Sequence, residues 1–321
     1  MKIYLIFRFQ FTVLIVLFYA GLCILGFVRV EMIVTRSENH DYEERFQINM
    51  LKIKQHLEYY DTKIYDHNFF KNYLLKCDND VMKCLEKIDS FFVLKKMFPE
   101  YLLHDDIRCS DFNHFCRSIY SCYLPELNTD GCRIFIDKVS SDESLFDVLK
   151  IMKYYCMQTE LRFLEDEPDN GDIILFDCNN INLLHIIAFV PYFIKSLQII
   201  LKVYPLRVQL LVLTNVGRVV KTVINTLKWF TPKRYHDLVY VYSEGSEHFS
   251  KHVPVIILPK EYGGNTFTLD EIRENWYQKL QQRRPWFQKA NDEITNLKYN
   301  KFKNFRFIFG KNGTFKTLQL D

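Results

Sequence analysis

DIILFDC, residues 172–178, decides how the rest of the chain is read. Ile173, Ile174, Leu175 and Phe176 form an unbroken apolar run, bounded by Gly171 on one side and Asn179-Asn180 on the other. A run this short, rich in branched residues and closed by turn formers, fits a strand buried on both faces, which is the signature of a parallel sheet. VQLLVLTN (208–215) repeats the pattern, and DLVYVYS (237–243) repeats it again. Between them lie stretches with helical spacing. FVPYFIKSLQIILKVY (189–204) places Val190, Phe193, Ile194, Leu197, Ile200 and Leu201 on one side, and RVVKTVINTLKWF (218–230) does the same with Val219, Val220, Val223, Ile224, Leu227 and Phe230. Upstream, CRIFIDKV (132–139) alternates as a strand and SLFDVLKIMKYYCMQTELRFL (144–164) reads as a long amphipathic helix. Strands separated by helices of this length imply crossover units, so the expectation is an α/β domain with a mostly parallel sheet covered by helices.

Toward the N-terminus the pattern changes to helix alone. Leu51, Ile53 and Leu57 open one amphipathic stretch, Phe69, Phe70, Tyr73 and Leu74 form a second, and Cys84, Leu85, Ile88, Phe91 and Phe92 form a third. Asp66 and Asp80 stand where N-caps are needed, and Pro99 stops the third helix. A small three-helix domain at 45–105 is expected, with residues 31–48 as a mixed-charge entry segment and a His- and Asp-rich crossing at 104–113. Beyond it lie the main domain at 115–270 and a tail at 271–321. In that tail FRFIF and TFKTLQL flank a Gly-Lys-Asn-Gly turn, a hairpin signal.

From Phe11 to Val28 no residue is charged. This leader (1–31) is long enough to span a bilayer and longer than the apolar core of a cleavable signal. Two readings stand: a single uncleaved N-terminal span, or an upstream extension that translation from Met32 would omit, leaving a soluble cytosolic protein. Basic residues on the two sides nearly tie (Lys2 and Arg8 against Arg29, Arg36 and Arg45), so orientation stays open.

Of 321 residues, 28 are Phe and 20 Tyr, enough ring surface for a large core, so extensive disorder is excluded. Glycine numbers only 10, which argues against a glycine-built phosphate loop. The net charge of +3 gives no reason to expect a nucleic-acid partner. Nine cysteines without a CxxC pair, none beyond Cys178, fit reduced thiols in a cytosol. No GxSxG, GxxxxGK[ST], HExxH or GxGxxG sequence occurs. His248 and His252 have the i, i+4 spacing of a metal pair but no third ligand near them, and His104, Cys109, His114 and Cys116 match no zinc module. Asp172 and Asp177 flank a buried strand, where carboxylates ordinarily cap or pair. The expectation is no catalytic centre, no metal and no cofactor.

KHVPVIILPKEYGG (251–264) resembles the segment that closes the lipid-binding domain of the CRAL-TRIO family, with Pro254, Leu258, Pro259, Glu261, Tyr262, Gly263 and Gly264 on the motif. GDIILFDCNNINLLHI, YPLRVQLLVLTN and LKWF resemble the family's upstream elements in order, and residues 68–102 resemble its three-helix domain. NWYQKLQQRRPWF and GKNGTFKTLQLD resemble the tail of the insect tocopherol-transfer-like branch; the likeness extends over residues 50–321. The resemblance implies an apolar cavity floored by the sheet and gated by an amphipathic helix at 217–230. It implies a monomer that carries one hydrophobic molecule (retinoid, tocopherol-like or phospholipid) to or from a membrane surface. On this basis Phe189, Phe193, Leu197, Ile200, Leu211, Leu213, Val219, Val220, Val223, Ile224, Leu227 and Phe230 are the expected cavity and gate. Arg207, Lys228, Lys233 and Arg234 are the expected contacts to a membrane surface or phosphoinositide. Gly217 and Lys228-Trp229-Phe230 depart from the family pattern, and Asn72, Leu75 and Cys77 stand where phosphoinositide-binding relatives carry arginine. The rival reading is an interaction protein with a degenerate cavity, recruited to phosphoinositide membranes.

Overall fold

A computed structural model describes residues 40–138, 147–165, 169–181, 199–218, 220–222, 224 and 233–298. Helix α1 (His40–Glu58) begins within the expected entry segment, because Phe46, Met50, Ile53 and Leu57 recur at helical spacing and all four are buried. Helix α2 (His67–Lys76) is capped by Asp66, whose carboxylate accepts from Phe69 N, and α3 (Val81–Met97) by Asp80, which accepts from Lys83 N. Pro99 opens a separate short helix, α4 (Pro99–Leu102). A further helix, α5 (Ser110–Ser118), begins within the expected crossing at 104–113 and runs beyond it.

Five strands follow in the spatial order β1-β2-β3-β4-β5: β1 (Tyr120–Leu127), β2 (Arg133–Lys138), β3 (Asp172–Asp177), β4 (Val208–Thr214) and β5 (Val239–Val241). β1 pairs antiparallel with β2, and the remaining pairs are parallel. Helix α6 (Val148–Glu165) makes the crossover from β2 to β3. A chain of 3-10 turns runs from Ser246 to Tyr262, and α7 (Leu269–Gln282) and α8 (Arg284–Asn296) complete the described chain. Thr268 and Glu271 form a reciprocal capping box at the start of α7.

Pleating separates the sheet into two faces. On one, Cys122, Leu124, Ile134, Ile136, Ile173, Leu175 and Val212 are buried against Phe249, Val253, Leu258 and Tyr262 from the 3-10 chain and Leu269, Ile272 and Trp276 from α7. Gly264 has to be glycine, since any Cβ there would collide with the Leu258 carbonyl. The N-terminal helices share a second core with α6, Ile199–Tyr204 and α8. Its centre is aromatic: Phe69, Phe70, Phe91 and Phe92 pack edge-to-face or tilted around Tyr65 and Tyr73.

The leader, the hairpin at 305–320 and most of the 189–204 helix lie outside the described residues. Among the described residues, no helix is long and apolar enough to cross a membrane. The eight described cysteines are all free.

Candidate functional site: the second sheet face

The other face of the sheet is not packed to the same depth. Across the strands, Phe135, Ile174, Leu211 and Val239 stand in register, and Asp137, Phe176, Leu213 and Val241 form the next row. Ile174, Phe176, Leu211, Leu213, Val239 and Val241 are only half-buried, whereas Ile173, Leu175 and Val212 between them are buried. Strands in the middle of a parallel sheet ordinarily bury both faces. Here, among the described residues, one face is a broad apolar floor whose side chains are only half-buried.

Asp137 closes one end of that floor. Ser121 Oγ donates to Asp137 Oδ1 at 2.5 Å, and the Tyr155 hydroxyl of α6 donates to Oδ2. Burial pushes the Asp137 carboxyl above its ordinary range, against the pull of these two donors and a backbone N–H. It is therefore a polar group kept on an apolar surface.

Beyond β4 the chain turns at Asn215, which takes a left-handed conformation (φ 55°). Its side chain donates to Asp177 Oδ1 at 2.7 Å and accepts from Gly245 N at 3.0 Å, tying the ends of β3 and β4 to the loop after β5. Tyr262, within the EYGG motif, donates to the other Asp177 oxygen at 3.1 Å. Asp177 is thus a structural hub at the C-terminal ends of the strands. From Arg218 the chain is helical, with Val220 and Ile224 half-buried and Arg218, Lys221 and Thr222 exposed, as an amphipathic helix requires.

Of the residues expected at the cavity and gate, Leu211 and Leu213 lie side by side on the floor and Val220 and Ile224 share a side of the following helix. Ile200 is buried in the helical core with Ile199, Val203 and Tyr204. Phe189, Phe193, Leu197, Val219, Val223, Leu227, Lys228 and Phe230 lie outside the described residues, as do the side chains of Lys233 and Arg234. Arg207 forms an ion pair with Asp78, in the turn between α2 and α3, and little of its side chain meets solvent.

Ile174 and Phe176 join the floor without a signal in the sequence, because a continuous apolar run carries no record of which face each residue takes; Phe135, Val239 and Val241 join them through register alone. For Ile174 and Phe176, the alternation with buried neighbours appears only in the folded sheet, where register fixes which face each residue takes.

The histidines find other roles. His248 stacks on Tyr242 with ring centroids 4.1 Å apart, and the Tyr242 hydroxyl lies 2.9 Å from His252 Nε2. His104 is buried beside Glu160. A cleft of about 400 Å3 beside it is lined by Asp105, Asp106, Arg284, Asn291 and Phe287. Arg284 bonds both oxygens of Asp106 there, giving a polar pocket unlike the apolar floor.

Residues 117–264 match the family model of the CRAL/TRIO domain. The alpha-tocopherol transfer protein-like protein of Mus musculus is 22% identical over 228 residues, a match covering 70% of this chain and 65% of that protein. The protein of the same description from Homo sapiens is 22% identical over 215 residues, 65% of this chain and 62% of its own. This chain therefore spans just under two thirds of these relatives' length. Among solved structures, the crystal structure of Sfh5 superposes with a TM-score of 0.50 at 12% identity, covering 78% of this chain and 99% of that one. At that identity the likeness is one of fold.

Proposed function

Residues 117–264 of this chain are a CRAL/TRIO domain, and on that premise we propose that the protein holds one hydrophobic molecule against the second sheet face and exchanges it with membranes. The observation that carries the proposal is the half-buried apolar floor of Ile174, Phe176, Leu211 and Leu213 on the central strands β3 and β4, continued by Val239 and Val241 of the edge strand β5. An apolar guest supplies the burial that these side chains otherwise forgo.

Energetics favour exchange at a membrane over release into water. A guest with about 20 methylene-sized groups gains about 16 kcal/mol on leaving water, at about 0.8 kcal/mol each. A bilayer offers nearly the same gain, so the carrier need only match the membrane and open on contact with it. The amphipathic helix from Arg218, hinged at Asn215, is assigned as the gate, with Val223, Leu227 and Phe230 on its apolar side in sequence. Lys228, Lys233 and Arg234 are assigned to anionic headgroups, phosphoinositides included. Arg207 is committed to Asp78 and has no part in this assignment. No bond is made or broken in the cycle, so the chain acts as a carrier rather than an enzyme. The work is done at a cytoplasmic membrane surface by a single copy.

Native mass spectrometry of the purified full chain tests the proposal. A stoichiometric co-purified lipid, released by vesicles and lost on enlarging Leu213, is the expected result. An empty protein that also takes up no retinoid, tocopherol or phospholipid from vesicles would overturn it and leave a membrane-recruited interaction protein.

A further inference from the structure

The turn at 254–257 exposes apolar side chains that the fold holds firmly in place. Val255 is 43% and Ile256 65% exposed, while Val253 and Leu258 on either side are buried in the core beneath the sheet. Pro254 and Pro259 bracket the turn, and Ile257 N and Leu258 N bond back to the carbonyls of Pro254 and Val255. Gly264 packs against the Leu258 carbonyl and Tyr262 is tied to Asp177, so the segment is anchored on both flanks. Two adjacent branched side chains are thus presented to solvent on a pre-organised turn. This differs from the scattered exposed apolar residue that every surface carries.

The surroundings point to the partner. Residues 251–260 contain Lys251 and Lys260, both exposed, and no carboxylate. Glu261, the next residue, turns its carboxylate to the N–H of Leu269 at 3.0 Å, where it caps α7. Tyr240 is 40% exposed, and its ring stands 4.3 Å from that of His252, extending the apolar surface toward β5. An exposed apolar tip with an exposed lysine before and after it in sequence, and a half-exposed tyrosine ring against His252, matches the boundary between headgroups and acyl chains of an anionic bilayer.

We infer that Val255 and Ile256 insert into an anionic membrane while Lys251 and Lys260 meet its headgroups, forming a docking point distinct from the gate at 217–230. The inference rests on the carrier reading only in that a carrier must dock on a bilayer. A fixed docking point beside the moving gate would let the gate open while the protein stays bound.

Hydrogen exchange of the full chain, with phosphatidylcholine vesicles and with phosphatidylcholine–phosphatidylserine vesicles, reads the contact locally whatever else binds the membrane. The expected result is slowed exchange at Ile256, Ile257 and Leu258 with the anionic vesicles. The protection should be lost in Val255→Ser/Ile256→Ser and reduced about fivefold in population for each of Lys251→Ala and Lys260→Ala. Unchanged melting of the variants shows that the fold is intact. Exchange unaffected by vesicles would overturn the inference. So would protection that appears without vesicles as protein concentration rises, which would make the tip an interface between copies of the chain. Native mass spectrometry of the serine variant keeps the two readings separate: ligand content should match the parent, and a parent protein with a protected tip but no ligand would sink the carrier alone.

Discussion

Lys95 and Glu160 meet at 2.5 Å with neither side chain exposed to solvent, joining α3 of the N-terminal helices to the crossover helix α6. Glu160 also accepts from the hydroxyls of Tyr65 and Tyr204, and its second oxygen lies 3.0 Å from His104 Nε2. Four side chains, at positions 65, 95, 104 and 204, therefore converge on one carboxylate. Burial alone would raise the Glu160 carboxyl, but His104 and then Lys95 outweigh it and hold the group down at about 2. Removing one partner strands the other as an uncompensated buried charge. Glu160→Gln should cost about 3–5 kcal/mol, read as the drop in unfolding free energy in urea. Lys95→Met/Glu160→Leu, which removes both charges, should recover part of that loss. A single substitution as mild as the double one would show that the pair is not a junction of the fold.

The same cluster sets an acid limit. Burial pushes the His104 imidazole below its ordinary 6.5, so the unfolded chain takes up that proton first and stability falls as pH drops through 6.5. The lowered Glu160 carboxyl contributes stability that is present above 4.5 and lost as pH falls toward about 2. Both slopes have the same sign. Melting midpoints measured from pH 8 downward should decline in two stages. His104→Gln should flatten the upper stage and, because His104 helps hold the Glu160 carboxyl down, also weaken the lower one. Lys95→Met should weaken the lower stage and leave the histidine step in place.

Asp137 obeys the opposite sign. Its carboxyl is raised by burial, so the stability linked to it is full at low pH and is lost as pH rises past its unfolded value of 3.8. Asp137→Asn keeps an acceptor for one of the Ser121 and Tyr155 hydroxyls and offers the other an N–H to accept, while removing the buried charge. Its melting midpoint at pH 8 should exceed the parent's by about 2–4 °C, the equivalent of about 1 kcal/mol in a domain of this size. The difference should disappear under acid. An equal gain at every pH would show that charge burial is not the cause.

The architecture was legible where local patterns are strong. DIILFDC and VQLLVLTN read as buried strands because their apolar runs are short and sharply bounded, and Asp66 and Asp80 marked helix starts that the structure confirms. The edge strand β1 escaped notice because Pro125 and Glu126 interrupt its alternation; an edge strand tolerates a proline that a central one would not. Helix α1 starts earlier than its sequence suggests because its mixed-charge first turns hide Phe46, which is explained only by the core it enters. Leu211 and Leu213 could be anticipated from the family resemblance, but the floor they share with Ile174 and Phe176 depends on register, which no single strand encodes. The Glu160 cluster was invisible for the same reason, since its members come from residues 65, 95, 104, 160 and 204.

The floor itself can be filled deliberately. Leu213→Trp adds a large apolar side chain on the second face without a new charge or a broken hydrogen bond. Ligand co-purifying with the protein should fall by about tenfold, the effect of about 1.4 kcal/mol of lost guest contact, with the melting midpoint unchanged or raised. Val212→Trp, one residue away on the packed face, should instead unfold the domain. Similar behaviour of the two variants would mean that the faces do not differ in free space.

Asn215 offers a test of the hinge. A non-glycine residue in the left-handed region is held there by its side chain, here through Asp177 and Gly245. Asn215→Gly relieves the backbone strain but removes both side-chain bonds; Asn215→Ala removes the bonds and keeps the strain. Alanine should therefore be the more destabilising, by about 1 kcal/mol over glycine. Glycine should loosen the start of the helix at Arg218, so transfer of ligand between vesicles should quicken while the amount bound at equilibrium is preserved. If both variants transfer at the parent rate with their stabilities ranked as predicted, Asn215 only closes the strand, and opening must originate further along the helix.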